Sequence, residues 1–292
     1  MPRAPPARSR GARSGPRAGS TVGTGIPSGV RSGDGVFETL RTYSGRPFLL
    51  DRHLRRLCSG AASIGLAPVP SVPTVRRACL EMLSLARRKG RTREWVVRAM
   101  LYASSSGAQW SVFVEPLPRG AHRPRSKRFV AGIASYPHPG RYLTPPGATA
   151  PVKWMARGPL AHALREARAL GWEEAILENE EGCLVEGTRS NLLAVVGGTL
   201  VAPGPESLAL PGITRAVVLD EARRLGIPVR EYAPDRTEVR AATELMVTSS
   251  LLGVASLTRL VGVWPGAGVL RRTPVGSSLR EAYDARTRGG DP

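Results

Sequence analysis

The chain has 292 residues, 41% hydrophobic and 22% charged, the proportions of an ordinary soluble protein of one large or two smaller domains. These figures exclude a mostly disordered or collagen-like chain, and no apolar run approaches the ~18 residues that a membrane helix needs. The formal net charge is +19, and the basic residues are almost all arginine, since Lys89, Lys127 and Lys153 are the only lysines.

Residues 1–32 hold six arginines and no acid among Pro, Ala, Gly and Ser, too little apolar surface to offset the entropy of ordering. They read as a disordered tail, as a transit-type segment, or as an over-extended start. Order begins near Gly33. Val36–Tyr43 alternates as a strand, Ser44-Gly45-Arg46-Pro47 is a turn, and Phe48–Leu50 reads as the returning strand. Asp51 is a candidate cap for a helix with Leu54, Leu57, Ala61 and Ile64 on one face, and a second helix runs over Val72–Arg88. Strands follow at Glu94–Tyr102 and Trp110–Val114, then a basic loop over 115–128, then a strand at Phe129–Ser135.

Five prolines punctuate Tyr136–Pro151, so the interdomain linker is placed at 137–147. It separates a small N-terminal domain, 33–136, from a larger C-terminal one, 148–286. The second half reads as a helix over Pro159–Leu170 and strands at Ala175–Leu177, Cys183–Glu186, Asn191–Val196 and Thr199–Val201. A helix over Thr214–Leu225, a strand at Val229–Tyr232, a helix over Asp235–Ala242, a strand at Glu244–Thr248, and a hairpin with a terminal helix complete it. The class is α+β with many hairpins rather than regular βαβ units.

Cys58, Cys79 and Cys183 support neither a disulfide framework nor a zinc site, so no metal is expected, and a reducing, cytoplasmic setting fits them. Lys89 and Lys127 lie in solvated basic runs, whereas Lys153 sits between Ala150-Pro151-Val152 and Trp154-Met155-Ala156. Apolar surroundings disfavour an ammonium and release the neutral amine that a Schiff-base lysine needs. A snorkelling surface lysine is the alternative. Glu186 ends an apolar strand at Val185-Glu186-Gly187-Thr188 and is either a turn acid or the partner of a heterocyclic cation. Thr214, in Pro211-Gly212-Ile213-Thr214, is a candidate cap for a helix whose free N–H groups suit an anion. The hydroxyls of Thr248-Ser249-Ser250 suit a phosphate, and an arginine of His53-Leu54-Arg55-Arg56 could bind one bidentately or simply face solvent.

The order of these motifs is more specific than any one of them. Gly33-Asp34-Gly35-Val36-Phe37-Glu38-Thr39-Leu40, His53-x-x-Arg56-Leu57, Lys153, Glu186-Gly187-Thr188-x-Ser190-Asn191, Gly212-Ile213-Thr214-Arg215 and Thr248-Ser249-Ser250 occur in one chain. Over about residues 33–265 the chain resembles the class IV (fold type IV) pyridoxal-phosphate enzymes, which include branched-chain and D-amino-acid aminotransferases and aminodeoxychorismate lyases. The separation of Lys153 and Glu186 fits that family.

The resemblance implies two α+β domains with pyridoxal 5'-phosphate between them, and a homodimer. Lys153 would carry the cofactor and move a proton between substrate Cα and cofactor C4′. Glu186 would keep the pyridine nitrogen protonated. Arg56, Ile213, Thr214 and Ser249 or Ser250 would hold the phosphate. Phe37 would line the substrate pocket, and Arg98 would lie near the substrate carboxylate. The implied reaction is amino-group transfer between an amino acid, branched-chain or similarly apolar, and a 2-oxo acid. Elimination of pyruvate to give 4-aminobenzoate is the lyase alternative, and Arg157, four residues after Lys153, leans that way. A basic nucleic-acid-binding protein on a degenerate enzyme fold is the alternative from another class. Two departures stand out: Gly158 lies where many members carry a tyrosine, and Gly253-Val254-Ala255-Ser256-Leu257 lacks the usual proline.

Overall fold

The computed structural model describes residues 26–90, 92–118, 120, 129–148, 150–263 and 274–289. Residues 1–25 of the expected tail and 121–128 of the basic loop, with Lys127, lie outside the described residues.

Helix α1 (Ser28–Ser32) opens the described chain, so the end of the expected tail is ordered. It packs so closely on the next sheet that a Cβ on Gly29 would stand 2.5 Å from the Ala103 amide nitrogen. Strands β1 (Gly35–Tyr43), β2 (Arg46–Pro47), β3 (Trp95–Ser104) and β4 (Gly107–Pro116) form an antiparallel sheet in the order β2-β1-β3-β4. The return from β1 is this two-residue strand, not Phe48–Leu50. Leu49, in the left-handed region (φ 54°), turns the chain directly into helix α2 (Leu50–Ser63). Asp51 therefore lies in the first turn rather than at the cap, and pairs with Arg76 of helix α3 (Val72–Lys89) at 3.0 Å. Ser71 caps α3, its hydroxyl accepting from the Thr74 amide.

Strand alternation gives β1 two unlike faces. Val36 and Leu40 point with Val97, Ala99 and Leu101 at the apolar stripes of α2 (Leu54, Leu57, Ala61) and α3 (Val75, Cys79). Glu38 occupies the same face between Val36 and Leu40 and is fully buried.

The second sheet contains β5 (Val130–Ile133), β6 (Glu174–Glu178), β7 (Leu184–Gly187), β8 (Asn191–Val196), β9 (Thr199–Ala202), β10 (Val229–Glu231), β11 (Glu244–Ser249), β12 (Gly253–Ser256) and β13 (Arg259–Val261). Its main path is β10-β9-β8-β7-β6-β5-β13, with β11 joined to β8 and β12. β5 thus belongs to the second sheet although it falls inside the range 33–136. The change of sheet comes between Pro116 and Val130, ahead of the expected linker. The terminal strands also differ from a simple hairpin: β12 pairs with β11, while β13 crosses to lie parallel to β5.

The apolar run of β8 is buried on both faces. Leu192 and Ala194 enter one core with Leu245, Val247 and Val239 of helix α7 (Arg236–Ala241), which follows helices α4 (Gly140–Leu143), α5 (Gly158–Ala169) and α6 (Ile213–Arg224) in the chain. Leu193 and Val195 enter another with Val217 and Val218 of α6 and with Leu279 and Tyr283 of α8 (Pro274–Gly289). Asp235 and Glu238 form a reciprocal capping box at the start of α7. Among the described residues no helix is long and apolar enough to cross a membrane.

Residues 153–155 run alongside the first sheet. The Phe37 amide donates to the Lys153 carbonyl (3.0 Å) and the Met155 amide to the Gly35 carbonyl (2.8 Å), so this segment borders β1.

Candidate functional site

Backbone register assembles the site. Asn191 at the start of β8 is opposite Glu186 on β7 and opposite Thr248 on β11. Directly paired residues share a sheet face, so these three side chains stand side by side. Together with the N-terminus of α6, with Arg56 from α2 and with Lys153 and Arg157, they line one cleft.

Lys153 is tied down by the backbone pairing of its segment, and its Nζ lies 4.9 Å from the centroid of the Phe37 ring. Burial, then the Arg157 and Arg56 guanidinium groups, push its ammonium down to about 7, against the pull of Glu38 and Glu186. Near neutrality it is therefore available as a free amine.

Glu186 is buried, and its carboxylate is held on both oxygens. Oε1 pairs with His138 Nε2 at 3.1 Å, and Oε2 accepts from Asn191 Nδ2 (3.1 Å) and from the Leu210 amide (3.0 Å). His138 comes from the Pro-rich segment expected to be a mere linker. That segment also contains the short helix α4, and its Leu143 lines the cleft. Asn191 leaves no room for a side chain at Gly212, where a Cβ would stand 1.8 Å from Asn191 Oδ1.

Gly212, not Thr214, occupies the cap position of α6, because only a glycine fits against Asn191 there. Ile213 and Thr214 form the first turn, whose N–H groups have no partner within the helix. Thr248 Oγ1 is buried beside them without a hydrogen-bond partner among the described residues. Ser249 and Ser250 also line the cleft, the Ser249 hydroxyl accepting from the Leu252 amide at 3.3 Å.

Arg56 reaches the cleft with much of its donor capacity already used. Nε and Nη2 meet both Glu38 oxygens (2.6 and 2.9 Å), and Nη1 donates to the Pro211 carbonyl (2.6 Å). His53 completes the group, with Nδ1 2.7 Å from Glu38 and Nε2 3.4 Å from the Ser250 hydroxyl. Burial alone would raise the Glu38 carboxyl, but Arg56 and His53 outweigh it and hold it well below the usual carboxylate range. Burial pushes the His53 imidazolium down despite the neighbouring carboxylate.

The Phe37 ring stands against Lys153 and 5.5 Å from the Arg157 guanidinium, although Phe37 itself is not part of the cleft wall. Arg98 lies elsewhere. On β3 it is opposite Thr39, where it donates to Glu115 (2.8 Å) and to the Thr39 hydroxyl (3.2 Å), and it is absent from the cleft wall. Register explains the displacement: residue 98 lies two places beyond the Phe37–Met100 pair, toward the half-exposed Arg98–Glu115 ion pair.

Sequence reasoning missed three supports. They are His138, Glu174 and Glu38, the last of which enters the sequence reading only as a member of the Gly33–Leu40 motif. Glu174 at the start of β6 is buried and accepts from the Thr188 amide (3.1 Å), the Thr188 hydroxyl and the Ser190 hydroxyl (2.9 Å), fixing the turn between Glu186 and Asn191. Its signal was an acid ending the Trp172-Glu173-Glu174 approach to an apolar strand, too common a pattern to single out.

Residues 35–260 match the family model described as amino-transferase class IV. The chain is 28% identical to a D-alanine aminotransferase of Listeria innocua, over 86% of each chain. It is 26% identical to a branched-chain-amino-acid aminotransferase of Escherichia coli, over 86% of this chain and 83% of that one. Among solved structures it is similar to the branched-chain aminotransferase of Thermoproteus uzoniensis with norvaline, with a TM-score of 0.76, 27% identity and coverage of 89% and 87%. It is also similar to the PLP-bound form of a hypothetical aminotransferase from Mycobacterium tuberculosis, with a TM-score of 0.75, 26% identity and coverage of 88% and 90%.

Proposed function

The chain belongs to the class IV aminotransferase family, and we propose that its cleft binds pyridoxal 5'-phosphate and moves amino groups between apolar amino acids and 2-oxo acids. The lyase and nucleic-acid-binding alternatives are not favoured. The observation that carries the cofactor reading is one cleft joining a deprotonatable lysine, a carboxylate held by donors on both oxygens, and an unpartnered buried hydroxyl beside a helix N-terminus. Those groups fit the aldehyde, the ring nitrogen and the phosphate of that cofactor.

When bound, the cofactor supplies an electron sink for the substrate Cα. Lys153 would attach to it through Nζ and, once freed, take and return the Cα proton as a neutral amine. Glu186, oriented by His138, Asn191 and the Leu210 amide, would accept a hydrogen bond from the protonated ring nitrogen. The first-turn amides of α6 at Ile213 and Thr214, with the hydroxyls of Thr248, Ser249 and Ser250, would receive the phosphate, and Arg56 would add charge from the far wall.

Leu143, Val152, Trp154, Leu160 and Leu210 line the same cleft and favour an apolar substrate side chain. That supports the branched-chain activity named for one group of relatives over the D-alanine activity named for the other. We further propose a homodimer, supported by the exposed rings of Phe113 (53%) and Tyr142 (89%), and a cytoplasmic location, supported by three free cysteines.

The deciding experiment supplies the cofactor-loaded protein with 2-oxoglutarate and either L-leucine or D-alanine, and measures glutamate and the new 2-oxo acid. Faster turnover of L-leucine is the expected outcome. Preference for D-alanine overturns the substrate proposal, and no glutamate from any amino acid overturns the reaction.

A further inference from the structure

Among the described residues four cations line the cleft: Lys153, Arg56, Arg157 and Arg189. Lys153 is the reacting amine, Arg56 is committed to Glu38 and Pro211, and Arg189 is exposed and donates toward the Glu173 carbonyl at 3.3 Å. Arg157 is different. It stands at the cap position of α5, one turn of chain beyond Lys153, with its guanidinium beside the Phe37 ring. Its Nη2 donates to the Thr188 carbonyl, in a turn that Glu174 fixes from behind. No carboxylate forms an ion pair with it among the described residues, so Nε and Nη1 keep their donors for something in the cleft.

An amino acid and a 2-oxo acid share one charged group, the carboxylate next to the reacting carbon. A guanidinium fork matches that group in shape and charge, and in a cleft screened from water the match is worth more than at the surface. We propose that Arg157, and not Arg98, receives the substrate carboxylate, with the Thr188 carbonyl and the Phe37 ring holding the fork in place. This inference rests on the aminotransferase reading and names the anchor for its substrates. It also gives the Arg157 charge a second effect, since that charge favours the neutral form of Lys153.

The test is calorimetric. Cofactor-loaded protein is titrated with 4-methylpentanoate and with its amide, neither of which can react. The wild type is expected to hold the acid about 10–100-fold more tightly than the amide, the range of a charge-assisted contact. R157M is expected to bind both alike, and R157K to recover part of the preference, with the amount of bound cofactor unchanged in both. A wild type indifferent to the charge, or an R157M that keeps the preference, overturns the inference. So does an R157M that loses acid and amide together, or loses the cofactor, since Arg157 is then a support of the cleft. Failure of the wild type to gain a visible band with pyridoxal phosphate is recorded separately and contradicts the cofactor reading itself.

Discussion

Asn191 Nδ2 lies 3.1 Å from Glu186 Oε2 and 2.8 Å from the Leu210 carbonyl, so one amide ties the carboxylate of β7 to the loop that delivers α6. The same residue explains Gly212. The two sites proposed for the opposite ends of the cofactor, ring nitrogen and phosphate, are thereby held in fixed relation by a single side chain.

Gly212→Ala tests that coupling. Its Cβ would meet Asn191 Oδ1 at 1.8 Å, so Asn191 must move and Glu186 loses a donor. The expected outcome is weaker cofactor binding, by tenfold or more, with a smaller change in the melting temperature of the cofactor-free protein; about 1–3 kcal/mol is what one lost donor to a buried carboxylate costs. Unchanged cofactor affinity would show that Asn191 is not the tie.

Thr248→Val separates a ligand-binding hydroxyl from a structural one. The hydroxyl has no partner among the described residues, so an isosteric apolar group should leave the cofactor-free protein as stable or stabilise it by about 1 kcal/mol. Phosphate-dependent binding of the cofactor should fall at the same time. A thermal shift and a binding titration on one preparation read both; loss of stability with unchanged binding would contradict the assignment.

Lys153 gives a pH signature. With the folded amine at about 7 and an ordinary lysine at 10.5, the reaction of Nζ with an aldehyde should rise through neutrality with its midpoint near 7. The folded value is the lower one, so the unfolded chain binds more protons between these limits, and stability should climb with pH across that window. Lys153→Met should stabilise the cofactor-free protein below pH 7, on the order of 5 kcal/mol, and the gain should vanish as pH approaches 10.5. A pH-independent difference would mean that the amine titrates normally.

Glu186→Gln should slow turnover while leaving the cofactor bound, because the phosphate contacts are untouched. Single-turnover rates with cofactor content measured in parallel check this. Complete loss of the cofactor would make Glu186 a structural residue.

The motifs proposed to carry cofactor chemistry are legible because each combines a chemically specific residue with a local backbone signal. Lys153 is a lysine in apolar sequence, Glu186 ends an apolar strand, and Gly212-Ile213-Thr214 opens a helix. What hid from the sequence was long-range pairing. His138 finds Glu186 from 48 residues away, and β5 joins the second sheet because its partners are β6 and β13. Arg98 was misplaced for the same reason, since its side-chain partners Thr39 and Glu115 lie on two other strands. The left-handed Leu49 that shortens the return strand carries no turn signal of the Gly or Asn kind, so the hairpin edge was extended too far.

The most direct measurement is the visible spectrum of the purified protein with pyridoxal phosphate, before and after borohydride reduction, followed by mapping of the modified peptide. A yellow band, lost on reduction and recovered as a label on Lys153, is the expected result. A protein that stays colourless, or one labelled on Lys89 or elsewhere with Lys153 untouched, would contradict it.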